Sequence, residues 1–335
     1  MHRRQLVRER RFGERCSGAQ VRTSTETSWI TTRFTTRVAV EDTRLQIPSR
    51  CASSLGKVEG LASRCRAGKG LRFGMSEDPL ADGYDLLYAS WGHSPTLRRI
   101  WRDHVTGPDY PEEFAHISFL PLATLRAVAE GLHLAPGELL VDLACGAGGP
   151  GFWVANAAGA RLVGRDLSSI AVDRAAERVA ALGMDGRAEF GQGSFDETRI
   201  DSGSADAVMT IDGLQYASDK TKALTEMRRI LRPGGRLAIV AFELDADRIA
   251  GLPVWTDPVG DYRPLLEQVG FDIFRYEQIP HWQEQVNAGF EAVLAEREAL
   301  EGELGPAATA LMMEASITLE LRPYLGHVLA IAMRS

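Results

Sequence analysis

Val141-Asp142-Leu143-Ala144-Cys145-Gly146-Ala147-Gly148-Gly149-Pro150-Gly151 is the stretch on which the fold turns. An apolar run over Glu138–Cys145 leads into it and small residues follow, so it reads as a buried strand ending in a tight turn. Small residues there let a ligand approach the backbone closely. Gly146, Gly148 and Gly151 satisfy GxGxxG, and Asp166 lies 20 residues after Gly146. That is the spacing of the dinucleotide fingerprint, in which an acid binds ribose hydroxyls. By itself the turn also suits an NAD(P)-dependent oxidoreductase, a non-catalytic cofactor-binding protein or a plain tight connection. Asp166 by itself also suits a cap on the next helix.

Working outward, strands and helices alternate. Arg161–Leu167, Ala188–Gly193, Ala205–Asp212, Arg236–Phe242, Phe271–Gln278 and His327–Met333 read as strands. Phe152–Ala158, Ser168–Leu182, Asp219–Leu231 and Tyr262–Val269 read as helices between them. Leu86–Val105 and Phe119–Leu132 precede the first strand as two amphipathic helices, and helical patterns fill Gln283–Leu304 and Ala307–Leu319. The expected fold is α/β: a Rossmann-like, mostly parallel sheet with helices on both faces and helical caps early and late. In such sheets ligands sit beyond the carboxyl ends of the strands.

Three features narrow the reading. Asp142 stands four residues before Gly146, where a carboxylate repels a pyrophosphate but suits a cationic group. Gly164-Arg165-Asp166-Leu167-Ser168 ends the second strand on an acid. Leu231-Arg232-Pro233-Gly234-Gly235 precedes the fifth strand, and a last strand follows a long helical insertion. With VDLACGAGG (141–149), GRDLSSIAVDRA (164–175), ADAVMTIDGLQYASD (205–219) and LRPGGRLAIV (231–240), the sequence resembles the class I S-adenosylmethionine-dependent methyltransferases, small-molecule type. The likeness is strong over residues 138–274.

The resemblance implies a seven-stranded sheet whose last strand is antiparallel, with S-adenosylmethionine as cofactor and S-adenosylhomocysteine as product. It puts Asp142, Ala144, Gly146 and Gly148 near the amino-acid part of the cofactor, Asp166 at the ribose hydroxyls and Leu167 against adenine. The family commonly has Gly-Asp after the third strand. Here Gly193-Ser194-Phe195-Asp196 stands there, so Ser194 takes the Asp position, Phe195 covers the ring, and Asp196 is a substitute in a shifted register. Asp212, after the fourth strand, completes the cofactor set. Cys145 reads as a small buried residue.

A sulfonium methyl group is already electrophilic, so positioning the acceptor supplies most of the catalysis. A base helps where the acceptor must lose a proton; His281 and His93 are the candidates. Gln215, Tyr216, Phe242, Trp282, Trp91 and Phe119 are the expected acceptor-side residues.

Charge divides the chain of 335 residues, whose net is −7. Residues 1–74 hold 16 Lys/Arg and 6 Asp/Glu, a net of +10; residues 75–335 hold the other 22 and 39, a net of −17. The first segment carries 15 Ser/Thr and no sustained periodicity. It reads as a disordered leader, a targeting segment or an upstream extension of a protein that starts at Met75. The expected division of the rest is an N-terminal cap (75–133), a cofactor-binding core (134–280), a helical insertion (281–320) and a final strand (321–335). The acidic balance argues against nucleic acid, and an Asn/Asp-Pro-Pro-aromatic motif is absent after the fourth strand. No apolar run is long enough to span a membrane. A cytoplasmic enzyme acting on a small molecule is therefore expected, its Ala/Leu/Met-rich insertion serving as a cover or a surface between copies.

Overall fold

The computed structural model describes residues 29–32, 36–39, 79–245 and 257–335. Trp29–Thr32 and Thr36–Ala39 form a two-stranded sheet of their own, which the lack of periodicity did not foreshadow. The threonines and Val38 are β-branched and favour extended backbone. The rest of the basic segment, with its expected disorder and the Met75 start, lies outside the described residues.

The seven-stranded sheet consists of β1 (Leu139–Leu143), β2 (Arg161–Asp166), β3 (Ala188–Gln192), β4 (Ala205–Ile211), β5 (Leu231–Leu244), β6 (Phe271–Gln278) and β7 (Leu325–Arg334). Their spatial order is 3-2-1-4-5-7-6. The first five run parallel. β7 enters antiparallel between β5 and β6, with Phe242 opposite His327 and Phe271 opposite Arg334. Side chains alternate between two cores. Ala207, Met209 and Ile211 of β4 face one, with Ala238, Val240 and Phe242 of β5; Val208, Leu237, Ile239 and Ala241 face the other. Strands buried on both faces read as continuous apolar runs, which is why the sequence shows them so plainly.

The helices are α1 (Pro79–Trp91), α2 (Pro95–Trp101), α3 (Leu122–Leu132), α4 (Gly149–Ala158), α5 (Ser169–Arg178), α6 (Lys220–Ile230), α7 (Arg263–Val269), α8 (Trp282–Ala295), α9 (Arg297–Leu304) and α10 (Pro306–Leu321). Two expectations change. Leu86–Val105 is not one helix, because Gly92 and Pro95 interrupt it: α1 stops at Trp91, and the Ser94 hydroxyl accepts the Leu97 N–H to start α2. The Arg232–Gly235 stretch is a bulge within β5 rather than a stop ahead of it, since Leu231 pairs with Ala205 and Arg236 with Ala207.

Between β6 and β7, α8, α9 and α10 fold back over the carboxyl ends of the strands, where α1 also lies. Tyr84, Leu87, Tyr88 and Trp91 follow helical spacing on one face of α1, and Leu311, Glu314 and Thr318 do so on α10. Both faces line one cavity.

Candidate active site

The β1 turn is shaped by residues that a side chain would spoil. Ala144 holds a left-handed φ of 58° and Gly146 one of 52°. A Cβ on Gly146 would strike the Tyr88 hydroxyl. A Cβ on Gly213 would lie 2.5 Å from that of Ala144, so the β1 and β4 loops cross only because residue 213 is glycine. Asp142 is 2% exposed and accepts the Gly151 N–H at the start of α4. Burial, then the neighbouring Asp166, pushes its carboxyl well above the usual range. Arg178 donates to the carbonyls of Ala147 and Glu113, tying the turn to the preceding loop.

Asp166 closes β2. Its Oδ2 accepts the Gly146 N–H at 2.8 Å and its Oδ1 the Ser168 N–H at 2.9 Å. Burial raises its carboxyl pKa and these amides partly offset the rise. The Leu167 amide also bonds this carboxylate, which keeps acceptor capacity for a ligand hydroxyl. Asp166, Leu167, Ser194 and Phe195 line one wall of the cavity. Asp196 turns away: it accepts from Ser194 Oγ at 2.6 Å and pairs with Lys222 Nζ at 2.8 Å, which holds its carboxyl below the ordinary value. Ser194 lines the cavity, and Asp196 is not among its lining residues.

Beside this wall the β1 turn opens a second lobe. Tyr88, Trp91, Ile117, Ser118, Ala144 and Ile211 border both lobes, so they adjoin. His116 lines the turn lobe. Its Nδ1 accepts the Ser118 N–H at 3.2 Å, and its buried Nε2 has no partner among the described residues. Burial pushes its pKa down to about 4, so the ring is neutral at pH 7.

Toward β5 the cavity becomes aromatic. Trp91, Trp101, Phe119, Phe242 and Phe290 line it. Phe119 is the hub, with ring centroids 5.3 Å from Trp101, 4.9 Å from Phe290 and 6.2 Å from Phe242. Behind Phe242 stands His327, stacked at 4.2 Å and fully buried. His327 Nε2 lies 2.8 Å from Asp212 Oδ1, while Asp212 Oδ2 accepts the Phe119 N–H at 2.7 Å. Asp212 holds a left-handed φ of 49° and faces the cavity, with each carboxylate oxygen bonded to the protein. It holds the Phe119 backbone and His327 in place while lining the cavity.

The structure thus gathers Ala144, Asp166, Leu167, Ser194, Phe195, Asp212, Gln215, Tyr216, Phe242, Trp91 and Phe119 around one lobe, and Asp142, Gly146 and His93 around the other. Three expected residues stand elsewhere. Gly148 caps α4 beneath Phe152 and Phe190 instead of facing the cavity. Trp282 packs edge-on behind Phe242 and His327. His281 caps α8 on the surface, 75% exposed, with Nδ1 2.7 Å from Glu284 Oε2, and lines neither lobe. His93 is an exposed residue of the turn lobe. Sequence reasoning missed Tyr84, His327 and Glu314. Of these, Glu314 carried a signal: a carboxylate inside the apolar run Leu311-Met312-Met313-Glu314-Ala315.

These residues fit an S-adenosyl group. The glycine turn admits a ligand to the backbone, the unpartnered His116 Nε2 offers a polar contact, Asp166 offers lone pairs to a diol, and Leu167 and Phe195 offer apolar walls to a flat base. When bound, the group supplies an electrophilic methyl carbon.

The sheet order, the antiparallel β7 and this turn are those of the class I methyltransferase fold, and the chain is an S-adenosylmethionine-dependent methyltransferase. A family described as a methyltransferase domain matches residues 140–235. The chain is 27% identical to the methyltransferase GfsG of Streptomyces halstedii, over 70% of its length and 89% of that protein's. It is 25% identical to the 27-O-demethylrifamycin SV methyltransferase of Amycolatopsis mediterranei, over 61% and 79%. Among solved structures it is similar in fold to the 4+2 cyclase SpnF, with a TM-score of 0.60 at 20% identity, over 76% of this chain and 96% of that one.

Proposed function

We propose that the enzyme methylates an apolar, ring-bearing small molecule seated among Trp91, Trp101, Phe119, Phe242 and Phe290. The observation that carries this reading is the continuity of that aromatic wall with the lobe bounded by Asp166 and Phe195. An aromatic wall excludes water and favours flat apolar ligands. Its rings are held from behind: Asp212 anchors the Phe119 backbone, and His327 supports Phe242. A small zwitterion would find few polar groups to replace its hydration there. The Amycolatopsis relative, named for 27-O-demethylrifamycin SV, is consistent with this choice. The activity belongs, on this reading, to residues 75–335, with the helices before β1 and after β6 forming the acceptor cover over the 134–280 core.

Transfer of a labelled methyl group from S-adenosylmethionine tests the proposal. The acceptors are 4-hexylphenol, 4-hexylaniline and 4-hexylthiophenol on one side, sarcosine and phosphoethanolamine on the other. Label should enter the hexyl compounds alone. Label entering only the polar pair would overturn it. Calorimetry with S-adenosylhomocysteine should show binding that Asp166→Ala weakens by about tenfold or more, the loss of one to two hydrogen bonds to a charged group.

A further inference from the structure

Four charged side chains line the lobe that holds the aromatic wall: Arg165, Asp166, Asp212 and Glu314. Three of them have other duties. Arg165 donates to the Thr198 and Gly164 carbonyls and pairs with Glu189 at 3.2 Å. Asp166 takes the backbone amides of Gly146, Ser168 and Leu167 and is reserved for the cofactor's diol, and Asp212 takes His327 and the Phe119 N–H. Glu314 differs. Its Oε1 accepts from the Tyr216 hydroxyl at 3.3 Å, and Oε2 has no hydrogen bond among the described residues. Tyr216 is in turn hydrogen-bonded to Tyr84 of α1.

Glu314 lies one helical turn from Leu311 and from Thr318 on the cavity face of α10. Glu314 is half-buried, and this acceptor oxygen is open for a ligand donor in the cavity that the residue lines. We propose that Glu314 takes the proton of an acceptor hydroxyl, so that the enzyme is an O-methyltransferase. This rests on the reading of the aromatic lobe as the acceptor site.

The step balances as follows. The acceptor O–H bond breaks and its proton passes to Glu314 Oε2. The oxygen's electron pair forms the bond to the methyl carbon. The methyl–sulfur bond breaks and its pair stays on sulfur, which becomes a neutral thioether. The proton leaves Glu314 to water after the ether product departs.

Its surroundings suit the task. Burial pushes the Glu314 carboxyl up to about 7, which the Tyr216 bond offsets in part and the nearby Asp212 reinforces. The titratable groups facing it are Tyr216 and Asp212 from the β4 end and Tyr84 from α1. α8 brings Phe290 to the lining and no charge. A base with a pKa near the working pH is the efficient one.

Three measurements decide. First, tryptophan quenching in the presence of S-adenosylhomocysteine compares 4-hexylphenol with its methyl ether, 4-hexylanisole. The wild type should favour the phenol by about tenfold, the value of one charge-assisted hydrogen bond. Glu314→Leu should bind both alike. Equal binding of both by the wild type overturns the Glu314 assignment and leaves the aromatic site standing; failure of both to bind overturns the aromatic site and the assignment with it.

Second, turnover of 4-hexylphenol should rise with pH through about 7 in the wild type. In Glu314→Gln it should fall by about a hundredfold or more, with KM changed little, as expected for a lost general base. An unchanged kcat in Glu314→Gln refutes the role. Third, cofactor-free Glu314→Gln and wild type are melted between pH 5 and 8.5. The raised folded-state carboxyl pKa makes the wild type lose stability as pH rises from its ordinary 4.5 through about 7. The advantage of the variant should therefore grow over that range. A gap independent of pH refutes a protonatable Glu314.

Discussion

His116 and Asp212 show how single side chains keep this site in order. His116 is neutral because burial outweighs every favourable contact, with a folded pKa of about 4 against its ordinary 6.5. The unfolded chain therefore binds a proton that the folded one refuses between those values, and stability falls as pH drops from 6.5 toward 4. His116→Asn keeps an acceptor for the Ser118 N–H but cannot ionise. Its stability should depend less steeply on pH across that window in urea titrations, and an unchanged slope would count against a buried neutral imidazole. Asp212 has the heavier duty. Asp212→Ala leaves the fully buried His327 without its partner and the Phe119 N–H without an acceptor. The expected cost is about 3 kcal/mol, in the range for breaking a buried pair, measured as a lower urea midpoint.

Among the elements, the junction of α1 with α5 matters most for the cavity. Ser168 caps α5 by accepting the Ala171 N–H at 3.0 Å, and its hydroxyl donates to Asp85 of α1. One side chain thus starts one helix and anchors another. Ser168→Ala should cost about 1 kcal/mol through the cap. It should also raise hydrogen exchange along α1 more than along α5, since α1 is only partly buried. The sequence announces the cap of α5, because Ser before an amphipathic run is a local signal. It announces the β1 turn and Asp166 for the same reason: strand, small residues and helix lie next to one another. It does not announce the acceptor wall. Trp101, Phe119, Phe242, Phe290 and Glu314 come from five separate places in the chain, and each on its own reads as a helix or strand packing position. His281 misled because it follows a strand end in sequence, whereas α8 begins there by turning the imidazole outward. The break at Gly92–Pro95 is masked in the sequence, because the apolar periodicity on either side spans it.

Across the whole molecule, the sheet order 3-2-1-4-5-7-6 gives β7 an interior place between β5 and the edge strand β6. β7 satisfies hydrogen-bonding edges on both β5 and β6, and it brings His327 to Asp212. Removing residues 325–335 should abolish cooperative unfolding as well as S-adenosylhomocysteine binding, since β6 would lose its only strand neighbour among the described residues; a truncated chain with a sharp calorimetric transition would contradict this.

The position of β7 also sets a timetable. A ribosome adds roughly 5–20 residues each second, and domains tend to fold from the N-terminal side as they emerge. Here the parallel strands β1 to β5 can pair while the chain is still growing, but the side of β5 that β7 covers stays open until residues 325–334 have left the exit tunnel. The buried support of Phe242 is made some 85 residues after Phe242 itself. A nascent chain that stops short of β7 therefore has no finished acceptor wall.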